Sequence, residues 1–187
     1  MNQELRIKKK NNKKHNSLFM IRDSNRGFTF IELIIYISIV TMMMTTIIPF
    51  AWNIIEGGAK SSTEQEVFSN ARYISERIKY EIRNAAGINS VAATSISLIA
   101  SPSANNPTVI DLSGGNIRIK QGSANAINLN SQNASISALN FTNFTSADNK
   151  TENIQFTITV NASYAATRRQ EYLESTTIQG SAEVRGN

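Results

Sequence analysis

The sequence predicts an α+β chain, with one long N-terminal helix packed on an antiparallel β-sheet. Three observations carry this reading. An apolar run from Phe28 to Ala51 holds a single formal charge, Glu32. Apolar residues at helical spacing follow from Val67 onward. Beyond Ile88 the apolar period shortens to two and is punctuated by clusters of Asn, Ser and Gly.

The head of the chain, residues 1–27, is basic and polar. Its run "KKKNNKKHN" has too little apolar surface to build a core and reads as an unfolded leader. Eight Lys or Arg stand there against Glu4 and Asp23, so the head carries +6 and the rest of the chain −1 of the total +5. The basicity therefore does not describe a folded face, and general nucleic-acid binding is not expected. Arg168 and Arg169 are the only adjacent basic pair in the body, and they read as a solvated loop.

Phe28 to Ala51 is 24 residues. As a helix this is roughly 36 Å, enough for a hydrocarbon core of about 30 Å. Positive charge flanking an apolar segment marks the cytoplasmic side, which places the head inside and the body outside. A secretory signal would have an apolar core of about 7–15 residues followed by a small-residue cleavage site. This run is longer, and "IIPFAWNIIEGGAKS" offers no such site. Pro49 lacks an amide hydrogen and is expected to kink the helix. Glu56–Gly58 is expected to break it, with Gly57 and Gly58 as a flexible point. The chain then divides into a leader (1–27), a transmembrane helix (28–55) and a globular domain (56–187) that opens with an amphipathic helix over about 59–86.

In that second helix Val67, Ala71, Ile74, Ile78, Ile82 and Ala85 fall on one narrow stripe at about 100° per residue. Arg72, Glu76, Lys79 and Arg83 occupy the other side, and Arg72–Glu76 and Arg77–Glu81 are spaced as i,i+4 pairs. The stripe is expected to lie on the domain's own sheet. In "IQFTITV" the residues Ile154, Phe156, Ile158 and Val160 alternate with polar neighbours, as in a half-buried strand. "TVIDLSGGNIRIK" reads as two strands turning at Gly114 and Gly115. Further strands are expected near Ser95–Ala100, Ala126–Asn130, Ile136–Phe144 and Thr176–Arg185. N-x-[ST] triplets such as Asn140 to Thr142 are expected by chance at this composition.

Chemistry is sparsely supplied. There is no cysteine, and the only histidine, His15, lies in the basic head. The body has no nucleophile beside a base, no phosphate loop and no metal-ligand spacing, so no catalytic residue, cofactor or metal is expected. Asp111 stands in no dense carboxylate cluster. Tyr36, Ser38 and Met42–Met44 read as lipid-facing or helix-packing positions.

Glu32 is the exception. An acid in hydrocarbon is disfavoured by roughly 2.5–3.5 kcal/mol at a helix centre and calls for a cation. In the uncut chain Arg26 is the nearest fixed charge. A chain cut between Gly27 and Phe28 would instead offer an α-amino group, with a reference pKa of about 8, at the depth of a neighbouring copy's carboxylate.

The stretch "RGFTFIELIIYISIV" resembles the N-terminal cleavage and methylation motif of type IV prepilins and of the pseudopilins of type II secretion and competence machines. The resemblance implies that a prepilin peptidase cuts after Gly27 and methylates Phe28, leaving Glu32 as fifth residue of the mature chain. Pro49 falls where such proteins tend to carry a helix-kinking proline. The implied role is noncatalytic: a pilin-like subunit whose Glu32 sets register against the Phe28 amine of an adjacent subunit as the helix enters a filament. Implied partners are the prepilin peptidase, other pilins or pseudopilins and an inner-membrane assembly platform. The implied location is the inner membrane, crossed once. The leader is longer than is typical, and without cysteine there is no C-terminal disulfide loop. The strand-rich body is more similar to a minor, J-type pseudopilin than to a major pilin. A membrane-anchored surface module, an adhesin or DNA-uptake factor, is the alternative.

Overall fold

A computed structural model describes residues 27–146, 151–163 and 172–185. The expected leader, apart from Gly27, and the Arg168–Arg169 pair lie outside the described residues. The chain divides into two units, Met1–Thr45 and Thr46–Asn187. Helix α1, Phe30–Arg83, contributes its first 16 described residues to one unit and the remainder to the other.

Within the second unit α1 continues through Pro49 and through Glu56–Gly58, where the sequence predicted a break. Gly57 and Gly58 meet no neighbour on the side where a Cβ would stand. Two glycines weaken a helix by roughly 0.5–1 kcal/mol each, less than one breaker proline, and the good helix formers around them carry it on. The helix ends at Arg83, three residues before the expected end, and Asn84 N–H closes the last turn on the Tyr80 carbonyl at 3.1 Å. Ala85 therefore opens a strand instead of completing the helical stripe.

That strand, β1 (Ala85–Ala92), is one the sequence did not announce. It pairs with β2 (Ser95–Ala100), followed by β3 (Thr108–Ser113), β4 (Asn116–Gln121) and the two-residue β5 (Ile127–Asn128), in the order β1-β2-β3-β4-β5. Gly114 and Gly115, at φ of 59° and 75°, make the two-residue turn between β3 and β4. Across that hairpin Arg118 grips Asp111 with both ends of its guanidinium, at 2.9 and 2.7 Å, and the carboxylate raises the Arg118 pKa.

A second sheet, β6 (Ala134–Asn143), β7 (Asn153–Ala162) and β8 (Ser175–Glu183), is also antiparallel, so the expected single sheet is two. The reason lies in the Gly/Ser/Asn-rich link after β4, which sustains only the stub β5 before turning away. Asn130 holds this turn. Its buried amide donates to the Ala134 carbonyl at 2.7 Å and to Asn116 Oδ1 at 2.9 Å, while its Oδ1 accepts from Ile117 N–H at 3.1 Å. Beyond the turn β6 touches the first sheet at separate points, through Ile136 N–H to Gly115 O and Phe141 N–H to Ala93 O.

The core lies between the second half of α1 and both sheets. Val67, Ala71, Ile74, Ile78 and Ile82 are buried there with Ile96, Leu98, Ile110, Ile117, Phe156 and Ile158. All six residues of the predicted stripe are in this core, Ala85 from its strand. Gly180 leaves room on β8 for the Phe156 ring, which a Cβ would strike. On the outer helix face Glu76 bonds Lys79 at 3.0 Å, not Arg72, and that ammonium holds the Glu76 carboxyl below its usual range. Arg77 does meet Glu81, at 2.7 Å, but the Glu81 side chain is nearly buried and also receives Gln121 Nε2.

Candidate processing and assembly site

The first unit begins as an apolar helix with its side chains in the open. Every large apolar residue from Phe28 to Ile55 is exposed, whereas Val67, Ile74, Ile78 and Ile82 further along α1 are buried in the core. The apolar first half thus has no core of its own to enter and calls for an apolar environment. Among the described residues one helix is long and apolar enough to cross a membrane, with a mean hydropathy of 2.1 over 18 residues, none of them buried.

Hydroxyls inside that run are accounted for locally. Ser38 donates to the Ile34 carbonyl at 2.8 Å, Thr41 to Ile37 at 2.7 Å and Thr45 to Met42 at 2.8 Å. Back-bonding of this kind removes the cost of a free hydroxyl in an apolar medium. Glu32 remains as the one ionisable acid of the segment.

Its surroundings are built from the helix start. Thr29 precedes α1 and accepts the Glu32 N–H on its Oγ1 at 3.3 Å, while its carbonyl takes the first helical bond, from Leu33 N–H, at 3.1 Å. Thr29 is therefore the N-cap, and Thr29-x-x-Glu32 has the spacing of a capping box. A carboxylate in the first turn also faces the positive end of the helix dipole. One turn further on, Tyr36 donates its hydroxyl to Glu32 Oε1 at 3.3 Å. The Tyr36 ring meets Phe28 edge-on, with centroids 6.0 Å apart at 74°. Phe28, Glu32 and Tyr36 thus form one cluster at the helix start, with Glu32 half-buried and Phe28 exposed.

Sequence reasoning named Phe28 and Glu32 but read Tyr36 as a lipid-facing or packing residue and passed over Thr29. Both had signals: Thr29 and Glu32 fit the [ST]-x-x-[DE] spacing, and Tyr36 is four residues from Glu32 and eight from Phe28. Gly27 precedes the helix with nothing within 4 Å of a notional Cβ, so the folded chain places no demand for glycine there. Pro49 stands inside α1, apart from this cluster in sequence. Asp111 is engaged by Arg118, and among the described residues no three His, Cys, Asp or Glu gather as a metal site.

Residues 22–48 match the family described as the prokaryotic N-terminal methylation motif. The match begins in the basic flank and contains Gly27, Phe28 and Glu32. This match supports a type IV pilin-like protein. The α+β architecture, with the helix packed on antiparallel sheets, fits that class. The motif and the exposed apolar helix together fit a single-pass membrane anchor. No curated protein and no solved structure matches the chain.

Proposed function

We propose that this chain is a minor pilin or pseudopilin, a noncatalytic subunit cut by a prepilin peptidase between Gly27 and Phe28 and assembled into a type IV pilus or a type II secretion or competence pseudopilus. The carrying observation is the methylation motif over residues 22–48, with a glycine, an aromatic and a first-turn acid in the order that processing requires. Cleavage would remove the basic head and leave an α-amino group on Phe28, which N-methylation keeps charged. The amine of one subunit then meets Glu32 of the next in a low-dielectric setting, where a complementary pair fixes register even though desolvation offsets much of its attraction. Tyr36 donates to the Glu32 carboxylate while the Thr29 cap takes the Glu32 backbone N–H, and Pro49 supplies a place for the helix to bend. The head lies in the cytoplasm and the globular domain outside. The assembly platform of the inner membrane and other pilins are the partners.

The intact mass and N-terminal residue of protein recovered from membranes, with and without a co-expressed prepilin peptidase, test this reading. The expected result is a chain starting at Phe28, methylated, only when the peptidase is present. An unprocessed chain in both cases overturns it.

A further inference from the structure

The two edges of the sheet β6-β7-β8 differ. β6 is interrupted by a register shift between Ile136 and Ala138, and its Ile136 and Phe141 N–H groups bond carbonyls of the first sheet. β8 is paired on one side only among the described residues, and its register with β7 runs unbroken from Asn153–Glu183 to Asn161–Ser175. Ala162 N–H donates to the Glu174 carbonyl and Val184 N–H to that of Glu152. Bonded pairs alternate along an antiparallel ladder, so the even-numbered residues of β8 bond β7. The N–H and C=O groups of Ser175, Thr177, Gln179, Ser181 and Glu183 therefore point off the free edge, where among the described residues they meet no backbone partner. Such a row is a template for another strand unless Lys, Pro or a bulge blunts it. β8 holds neither lysine nor proline, and its one charge, Glu183, stands at its end.

The side chains beside this edge set what an added strand must carry. α1 flanks β8, and two clefts open between them. The first, about 450 Å³, is lined by Glu64, Val67 and Phe68 of α1 and by Glu174 and Thr176, and the Phe68 ring is 54% exposed. The second, about 370 Å³, is lined by Lys79 and Arg83 of α1 and by Gly180 with Gln155, Gln179 and Ser181. Lys79 Cε passes 3.0 Å from where a Gly180 Cβ would stand. Lys79 already holds Glu76 at 3.0 Å, whereas Arg83 is exposed and makes no ion pair among the described residues. Arg185, two residues past β8, lines the adjoining cleft with Arg83, and the Glu76 found there is taken by Lys79. One end of the groove is thus apolar and flanked by carboxylates, and the other is cationic.

We propose that β8 receives an antiparallel strand of a partner protein, an extended segment with an acidic side chain opposite Gly180 and an apolar one opposite Thr176. Backbone pairing along the free edge supplies the attachment, and side chains on the α1 side choose the partner. Every ladder in both sheets is antiparallel, the more stable arrangement per residue. The even-numbered positions of β8 become non-hydrogen-bonded pairs with the incoming strand, the kind that brings side chains closest. Opposite Gly180 no side chain competes for the space, so a carboxylate there meets Arg83 and Lys79. Four residues further along the incoming strand, about 13 Å at roughly 3.3 Å per residue, an apolar side chain meets Phe68 and Val67. Glu64 and Glu174 repel an acid at that end, so the charges fix both sense and register. The groove belongs to the globular unit and does not depend on how the N-terminus is processed.

The test is fluorescence anisotropy of a labelled, end-capped heptapeptide, Thr-Glu-Thr-Val-Thr-Phe-Thr, on the full-length chain in detergent. The expected result is saturable binding that is lost when the amides of its third and fifth residues, which face β8, are N-methylated, and kept when the central Val amide is. Lys in place of Glu, or the reversed sequence, is expected to bind about tenfold more weakly. Gln179→Pro removes a donor from the free edge and none from the ladder with β7, so it should abolish binding with little change in melting temperature. Arg83→Glu should reverse the preference between the Glu and Lys peptides. No binding overturns the proposal, as does binding that survives N-methylation of the third and fifth amides or that ignores the charge of the peptide. A dimer of the full-length chain that Gln179→Pro converts to monomer, read by light scattering, would give the edge to a second copy and overturn it too. Should Gln179→Pro fail to fold, the N-methylated peptides and Arg83→Glu decide the matter.

Discussion

Removing the hydroxyl of Tyr36 takes away the side-chain donor that Glu32 has within its own helix. A hydrogen bond to a charged acceptor is worth about 1.5–3 kcal/mol, and a length of 3.3 Å places this one near the lower end. Tyr36→Phe is therefore expected to leave cleavage after Gly27 intact and to reduce incorporation into filaments several-fold less than Glu32→Ala does. Immunoblots of sheared filaments against the membrane-held fraction measure both, and equal incorporation of the two variants with wild type would defeat the Glu32 assignment. At Gly180 the constraint is spatial. A methyl group there meets the Phe156 ring, so Gly180→Ala should cost about 1–3 kcal/mol, read as a lower melting temperature of the full chain. Glu32 stands out in the sequence because a lone acid in an apolar run has few explanations. Gly180 does not, since a glycine in a strand does not reveal which ring lies beside it.

Along α1 the informative positions are those where propensity and structure disagree. Gly57 and Gly58 stand in helix with open space around them, so Gly57→Ala and Gly58→Ala should each stabilise the local helix by about 0.5–1 kcal/mol. Slower amide exchange around residues 54–62 would show it; unchanged exchange would mean that the helix is not set by its own propensity there. The Glu76–Lys79 pair on the outer face makes a prediction in pH. Because the folded Glu76 pKa is lowered, its contribution is present above the unfolded pKa and lost as pH falls through the folded value. Acidification should thus destabilise wild type slightly more than Glu76→Gln, in melting curves across the carboxylate range. The helix stripe was readable residue by residue, since six apolar positions at one period admit few other arrangements. Its end was not: "NAAGINSVA" has neither the β-branched density of a strand nor a proline, and tertiary pairing with β2 decides it.

For the whole molecule the sequence conveyed helix followed by strands, but not their division into two sheets. That division rests on a buried amide, which an Asn/Ser-rich stretch conceals among many alike. Asn130→Ala would strand the Ile117 N–H and the Ala134 carbonyl, each buried donor or acceptor costing about 1–3 kcal/mol, and urea unfolding of the full chain should register the loss. An unchanged midpoint would mean that the two sheets are held together by the common core alone. The passage from α1 to β1 has a mechanical meaning. Asn84 is the single residue between Arg83 and Ala85, so the joint has no slack to extend. Whatever pulls on the last turns of this helix pulls at once on the ladder between β1 and β2, and tension reaches the sheet without a compliant spring in between.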